Sequence, residues 1–199
     1  MLNNILHVEH GFQHIIDGAD EIFSANSREQ CFEVALELFR NDAYQARMLA
    51  TTILGRLAIE DNDALRFLKE QVSTDKNWRV QEMLAKAFDE ICKNRGYEKC
   101  FYLIDIWLDD DNPNVVRAVT EGLRIWTSRP FFKENPSLAI ALIAKHKADE
   151  SEYLRKSVGN ALRDISKKHS ELIRNEVQQW DLSNPQILFT YKLAEKLLK

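Results

Sequence analysis

A tryptophan and a glutamate stand four residues apart in the segment N-W-R-V-Q-E-M-L-A-K-A-F-D-E-I, which covers residues 77–91. The segment has the apolar spacing of an amphipathic helix, and on a helix Trp78 and Glu82 lie one above the other on a single face. An aromatic plane beside a carboxylate is an unusual arrangement to present to solvent. The pair therefore marks a candidate site.

Two simpler interpretations of this pair stay open. Trp78 could cover a seam between two helices, because large aromatic side chains bury much apolar area. Glu82 could form a surface ion pair with Lys86 one turn later, worth about 0.2–0.5 kcal/mol.

Basic residues form the second candidate group, because charge is distributed unevenly along the chain. Residues 1–75 hold thirteen acidic and six basic residues, whereas residues 112–174 hold twelve basic and seven acidic ones. Such asymmetry can indicate an anion-binding half. Ordinary surface charge is the alternative, and the overall net charge of −4 argues mildly against a nucleic-acid binder.

Three histidines near the start could form a metal site. His7, His10 and His14 have spacings of three and four, and Asp17 follows. Gly11 weakens that helix and no H-E-x-x-H motif is present, so we expect neither a metal nor a cofactor.

Three cysteines occur without a C-x-x-C pair: Cys31, Cys92 and Cys100. We expect reduced thiols in or near the core.

The elements that position these residues are predicted to be helices throughout. Gly and Pro are few, helix-forming residues are abundant, and no strand pattern appears. Short helices broken near Gly11 and Gly18 are expected before residue 25. Further helices are expected at about 28–40, 43–59, 61–72, 77–93, 97–108, 115–126, 137–147, 152–168, 170–179 and 185–198.

These helices pair, and the second helix of each pair is self-similar at offsets of 34, 35 and 39 residues. That period predicts an all-α, HEAT-like α-solenoid in a single domain, 1–199, whose inner helices line a concave groove. The residues expected to face the groove are Tyr44, Met48, Thr52 and Gly55; Trp78, Glu82, Lys86 and Asp89; Pro113, Arg117, Glu121 and Arg124; and Glu152, Lys156, Asn160 and Arg163.

From about residue 40 onward the chain resembles the AlkC/AlkD-type DNA alkylation repair proteins, which are HEAT-like solenoids. The most specific match is Y-L-R-K-S-V-G-N-A-L-R-D-I at residues 153–165, which contains the family run K-x-x-G-x-x-L-R-[DE]. N-V-V-R-A-V at residues 114–119 matches a basic family position, and K-N-W-R-V-Q-E at 76–82 matches a Trp followed four residues later by an acid.

The resemblance implies a DNA glycosylase that excises cationic N3- or N7-alkylpurines from duplex DNA. Glu82 would then stabilise the oxocarbenium character that develops on the sugar, and Trp78 would lie against the sugar or the lesion. The residues implied to contact DNA are Arg117, Arg124, Lys156, Asn160 and Arg163.

Two departures from the family pattern lead to an alternative. Asn160 stands where AlkD-type proteins have a second aromatic residue, and the N-terminal region is expected to be shorter than in the active glycosylases. The alternative is a catalytically inactive HEAT-repeat scaffold with a protein partner in its groove. With no run of 18 apolar residues and no basic-then-apolar leader, we expect no membrane association and a cytoplasmic location.

Overall fold

The computed structural model describes residues 5–8 and 11–198, and within them it contains helices and no β-strand. The α-helices with defined bounds are α1 Gln13–Ala25, α2 Arg28–Phe39, α3 Tyr44–Leu57, α4 Asn62–Glu70, α5 Trp78–Arg95, α6 Phe101–Leu108, α7 Pro113–Trp126, α8 Pro136–Ala144, α9 Glu152–Val177 and α10 Pro185–Ala194. A short 3₁₀ helix, Val72–Thr74, comes after α4, and a second one, Glu195–Leu197, comes after α10. The prediction of an all-α fold is confirmed, and most helix bounds agree within a few residues.

The same turn precedes each of α3, α5, α7 and α9. Three residues before each helix begins, an Asn or Asp side-chain oxygen accepts a hydrogen bond from the backbone N–H two residues later. Asx turns of this kind reverse the chain without using a backbone carbonyl. The four residues are Asn41, Asp75, Asp110 and Asp149, with N–O distances of 2.9, 2.7, 2.8 and 2.8 Å.

A second repeated position fixes the turn to the helix that follows it. Arg47 donates to the carbonyls of residues 41 and 42, and Arg155 occupies the equivalent place in α9 and donates to those of residues 149 and 150. At the same position in α5, the Gln81 amide donates to the carbonyls of residues 72, 73 and 75. These repeated bonds support the helical repeat read from the sequence.

The chain divides into two compact units, Met1–Arg95 and Gly96–Lys199. In the first unit α2 and α3 form a hairpin, and α3 packs against both α1 and α5. A Cβ atom on Gly55 would lie only 2.6 Å from the Ala87 Cβ, so the glycine allows α3 and α5 to approach closely. The prediction of a single domain over 1–199 stays a prediction.

In the second unit α9 contacts α7, α8 and α10. The glycine of the specific family run has a packing role here, because a Cβ on Gly159 would lie 2.6 Å from Leu193 Cβ and 2.9 Å from the Thr190 carbonyl oxygen. The two helices predicted at 152–168 and 170–179 form one kinked helix, because only His169 departs from helical geometry, with φ −130° and ψ 46°.

Two expectations in the first unit are wrong. Gly18 does not break a helix; it lies inside α1 and is buried, with Ile5 and Leu49 close above it. Met48 and Gly55 do not face a groove but are buried. Helix α1 packs on α3 around Gly18, and α5 packs closely against Gly55.

The three cysteines are free and buried, as expected. Burial raises the pKa of the Cys31 thiol. Across residues 5–8 and 11–198, no helix has the combination of length and apolarity that a bilayer crossing needs.

Candidate functional site

Trp78 is the first residue of α5, and its side chain lies at the surface. Asn77 caps the helix by accepting a hydrogen bond from the Arg79 N–H at 2.9 Å, and the buried face of the helix begins at Val80. The indole is 53% exposed, whereas Trp107 and Trp126 are buried in the core. The structure therefore does not place Trp78 in a helix–helix seam.

Arg79 stacks against Trp78, a contact that the sequence reading missed. Its guanidinium carbon lies 4.6 Å from the centroid of the Trp78 ring and 5.1 Å from that of Tyr44. Both distances are within the range of cation–π contacts. Tyr44 and Trp78 are the first residues of α3 and α5, so the 34-residue repeat brings two aromatic rings to one cation.

Glu82 is half-buried one turn after Trp78, and Lys86 is exposed one turn later. The ammonium of Lys86 lies 5.0 Å from the centroid of the Phe12 ring. Beyond Glu82 the surface of this unit opens into a cavity of about 210 Å³. Its lining residues are Ile16, Thr52, Arg56, Met83, Lys86, Ala87 and Glu90. A polar face with one exposed aromatic residue thus runs along α5.

The second unit groups predicted DNA contacts around a carboxylate. Asp164 is 3.7 Å from Arg124, 3.4 Å from Arg163 and 2.9 Å from Lys167. Partial burial acts to raise the pKa of Asp164, but the hydrogen bond from Lys167 and the charges of Arg163 and Arg124 outweigh it and lower that pKa. Arg124 also pairs with Glu121 at 3.1 Å.

Arg117 lies inside the helix layer of this unit, and only 5% of it is exposed. Its Nε donates to Ser157 Oγ at 3.0 Å, and its guanidinium carbon lies 4.6 Å from the centroid of the Tyr153 ring. Tyr153 is 40% exposed. In this conformation the surface above Arg117 is the tyrosine ring, so Arg117 supports an aromatic residue that the sequence reading did not select.

Lys156 and Asn160 follow one another on α9 at a spacing of one turn. The Lys156 ammonium is 2.7 Å from Glu152, and its hydrogen bond and charge lower the pKa of that carboxyl. Asn160 is half-buried. The structure thus brings Arg124 and Arg163 together, and places Lys156 and Asn160 on one helix face. The DNA-binding roles of these residues stay predictions.

The possible metal site at the three N-terminal histidines can be compared with the structure only in part. His10 lies outside the described residues, and the Asp17 carboxylate accepts a hydrogen bond from Gln13 at 2.8 Å. Among the described residues, no group of three His, Cys, Asp or Glu side chains has the geometry to hold a metal ion.

Comparison with known proteins identifies relatives over nearly the whole chain. The family model described as DNA alkylation repair enzyme matches residues 14–190. The crystal structure of AlkD2 from Streptococcus mutans is 48% identical with a TM-score of 0.94, and the match covers 99% of this chain and 95% of that one. The structure of smu.31 from Streptococcus mutans UA159 is also 48% identical, with a TM-score of 0.90 and coverage of 94% and 93%. The predicted helical-repeat fold is thereby confirmed.

Two further matches are more distant or partial. AlkC from Pseudomonas fluorescens, an alkylpurine DNA glycosylase bound to DNA containing an abasic site analog, is 23% identical with a TM-score of 0.50, and the match covers 94% of this chain and 62% of that one. That match shows a likeness of fold. The uncharacterized protein YhaZ of Bacillus subtilis (strain 168) is 37% identical over an alignment of 135 residues, and the match covers 61% of this chain and 38% of the relative's length.

Proposed function

Since the chain belongs to the family of DNA alkylation repair enzymes, we propose that it binds duplex DNA and excises cationic N3- or N7-alkylpurines. The observation that carries this proposal is the exposed indole of Trp78 one turn before Glu82 on α5. An aromatic face and an acid at that spacing can meet a deoxyribose and a positive charge that develops on it.

Departure of the alkylated base needs little protonation by the protein. An N3- or N7-alkylpurine already carries a positive charge, so the N-glycosidic bond breaks with its electron pair going to the base, which leaves neutral. The sugar gains oxocarbenium character, and water adds at C1′ while releasing a proton. Glu82 stabilises the positive sugar and orients that water or accepts its proton. Trp78 lies against the sugar.

The second unit supplies phosphate contacts in this proposal. Arg124, Arg163 and Lys167 already converge on one carboxylate, and a phosphate oxygen offers them the same charge and similar hydrogen-bond geometry. Lys156 adds a cation on the same helix. Phosphate contacts of this kind set the register on the duplex and carry no sequence information.

A scaffold that has lost the chemistry is the second candidate. Two observations favour it: Asn160 stands in place of the second aromatic residue of AlkD-type proteins, and the cations of the second unit are paired with acids of the same unit. A protein partner would then occupy the face that we assign to DNA.

Release of free 7-methylguanine from a methylated duplex tests the proposed chemistry. We expect the wild type to release the base and Glu82→Gln to lower the rate about 100-fold, because an electrostatic contact to the transition state is lost. Glu90→Gln is the matched control, an acid two turns further along α5, and it should leave the rate within about two-fold. Equal rates for the wild type and Glu82→Gln would contradict the catalytic role.

Salt dependence separates the two candidates. A DNA-binding protein loses affinity steeply as salt rises, because it releases counterions from the phosphates it neutralises. A fluorescence anisotropy titration with a labelled duplex at about 50 and 200 mM salt measures this loss. If no duplex binds even at the lower salt, the scaffold replaces the glycosylase.

A further inference from the structure

In the structure without DNA, the indole of Trp78 already contacts a cation, the guanidinium of Arg79. The guanidinium carbon of Arg79 lies 4.6 Å from the indole centroid and 5.1 Å from the Tyr44 centroid, so both rings bind the same charge. The indole therefore has a positively charged group against it.

A cation on one side of an aromatic ring opposes a second cation on the other side. Both draw on the same ring quadrupole, and the two positive charges repel one another across a separation of about twice the cation–π distance. The free surface of Trp78 remains suited to C–H groups, which need no positive charge to pack on an aromatic face. An indole in this state favours a sugar over a cationic base.

We propose that Arg79 is a specificity-determining residue that directs Trp78 to the deoxyribose and weakens its contact with a cationic base. This inference rests on the proposed function and narrows it, because it selects one of the two partners that Trp78 could have. Tyr44 contributes by keeping the guanidinium beside the indole. Glu82 then supplies the attraction for positive charge that the indole does not.

A pair of duplexes that differ by one charge tests the inference directly. One carries 7-methylguanine and the other its neutral isostere 7-methyl-7-deazaguanine, each on a 2′-fluoroarabinose that prevents base loss. The ratio of the two dissociation constants reports the preference for charge at the base. Phosphate contacts are the same in both duplexes and cancel from the ratio.

We expect Arg79→Gln to shift this ratio about two- to twenty-fold toward the cationic duplex, the range for two unit charges about 9 Å apart between bulk water and a protein surface. Arg79→Lys keeps the charge and should shift the ratio less than Arg79→Gln does. Lys93→Gln is the matched control, because it removes one charge from the same helix 14 residues away and should leave the ratio unchanged.

The variant Trp78→Leu completes a double-mutant cycle with Arg79→Gln. In the Trp78→Leu background, Arg79→Gln should change the ratio less than it does with Trp78 present, because only the direct repulsion remains once the ring shared by the two cations is absent. Circular dichroism and the thermal midpoint check that each variant folds.

The outcomes separate this inference from the proposed function. An unchanged ratio in Arg79→Gln, with both duplexes bound, overturns the inference and leaves the proposed function standing. The same shift in Arg79→Gln with and without Trp78 also overturns it. If the wild type binds neither duplex, the proposed function is wrong and the inference is wrong with it.

Discussion

The polar face of α5 in the first unit and that of α9 in the second differ in what holds the cations of the candidate site. On α5 an indole is exposed, and the cation beside it is held by aromatic rings. On α9 Tyr153 is also exposed, above the buried Arg117, but carboxylates of the same unit hold the other cations: Asp164 holds Arg163 and Lys167, and Glu152 holds Lys156.

In the proposed complex with DNA, the two faces contact the duplex in different ways. The indole can contact a sugar as it stands, without losing an existing bond to a carboxylate. The cations of α9 must exchange a carboxylate for a phosphate. Surface ion pairs are worth only about 0–1 kcal/mol, so the exchange costs little at low salt. The first face would then contact the sugar of the lesion, and the second would set how strongly affinity depends on salt.

The largest expected effect comes from disturbing the packing that holds α9. In Gly159→Ala the new methyl group meets Leu193 and the Thr190 carbonyl at distances that no Cβ contact normally shows. We expect a loss of about 1–3 kcal/mol in the free energy of unfolding, measured by urea titration, because overpacking outweighs the better helix propensity of alanine.

Asn160→Ala is the control for that change, at the next position of the same helix. It should alter the free energy of unfolding by less than about 0.5 kcal/mol. If Gly159→Ala is as stable as the wild type, then α10 does not pack against α9 as described.

A second prediction removes cations from the α9 face. The double variant Arg163→Gln with Lys167→Gln should weaken duplex binding about ten-fold at low salt and reduce the slope of log affinity against log salt by about 2. Anisotropy titrations over a range of salt measure both quantities. Arg66→Gln with Lys69→Gln on α4 is the matched control, and an equal loss in that pair would place the DNA contact elsewhere.

The smallest effect is expected from the acid that holds those cations. Asp164→Asn removes the charge that competes with phosphate, so duplex affinity at low salt should rise about two- to five-fold. The same change should lower the free energy of unfolding by about 0.2–1 kcal/mol at pH 7.

The pH dependence of this stability difference follows from the lowered pKa of Asp164 in the folded protein. The stabilisation is present above the ordinary aspartate pKa of about 3.9 and is lost as the pH falls through the lower folded value. The thermal midpoints of the variant and the wild type should therefore begin to converge as the pH falls below about 4 and coincide only below the folded pKa of Asp164. A difference that persists there would assign Asp164 a role other than that of an ionised partner.

Local sequence determined most of the fold. The helix bounds were predictable because caps, turn residues and apolar spacing act within a few residues of one another. The turns before α3, α5, α7 and α9 share an Asn or Asp whose side chain closes the same bond each time. The exception was Gly18, where helix propensity indicated a break and packing against Ile5 required a glycine.

The candidate site was only partly predictable. Spacing placed Trp78 and Glu82 on one helix face, and it placed Lys156, Asn160 and Arg163 on another. It did not predict that Arg117 is buried beneath Tyr153, or that Asp164 gathers three cations. The contacts of Arg117 with Tyr153 and of Arg124 with Asp164 join residues 36 and 40 positions apart. A helical period does not report which side chain of one helix reaches another.

The amino-acid sequence by itself determined the helices, their repeat and the family, because each depends on the order of residues along the chain. Only the tertiary structure decided the surroundings of the functional side chains. It set the cation against the indole, and it left the indole exposed while burying Arg117. The physical reason is that exposure and charge pairing depend on which helices pack together. Helix packing brings together residues that are far apart along the chain.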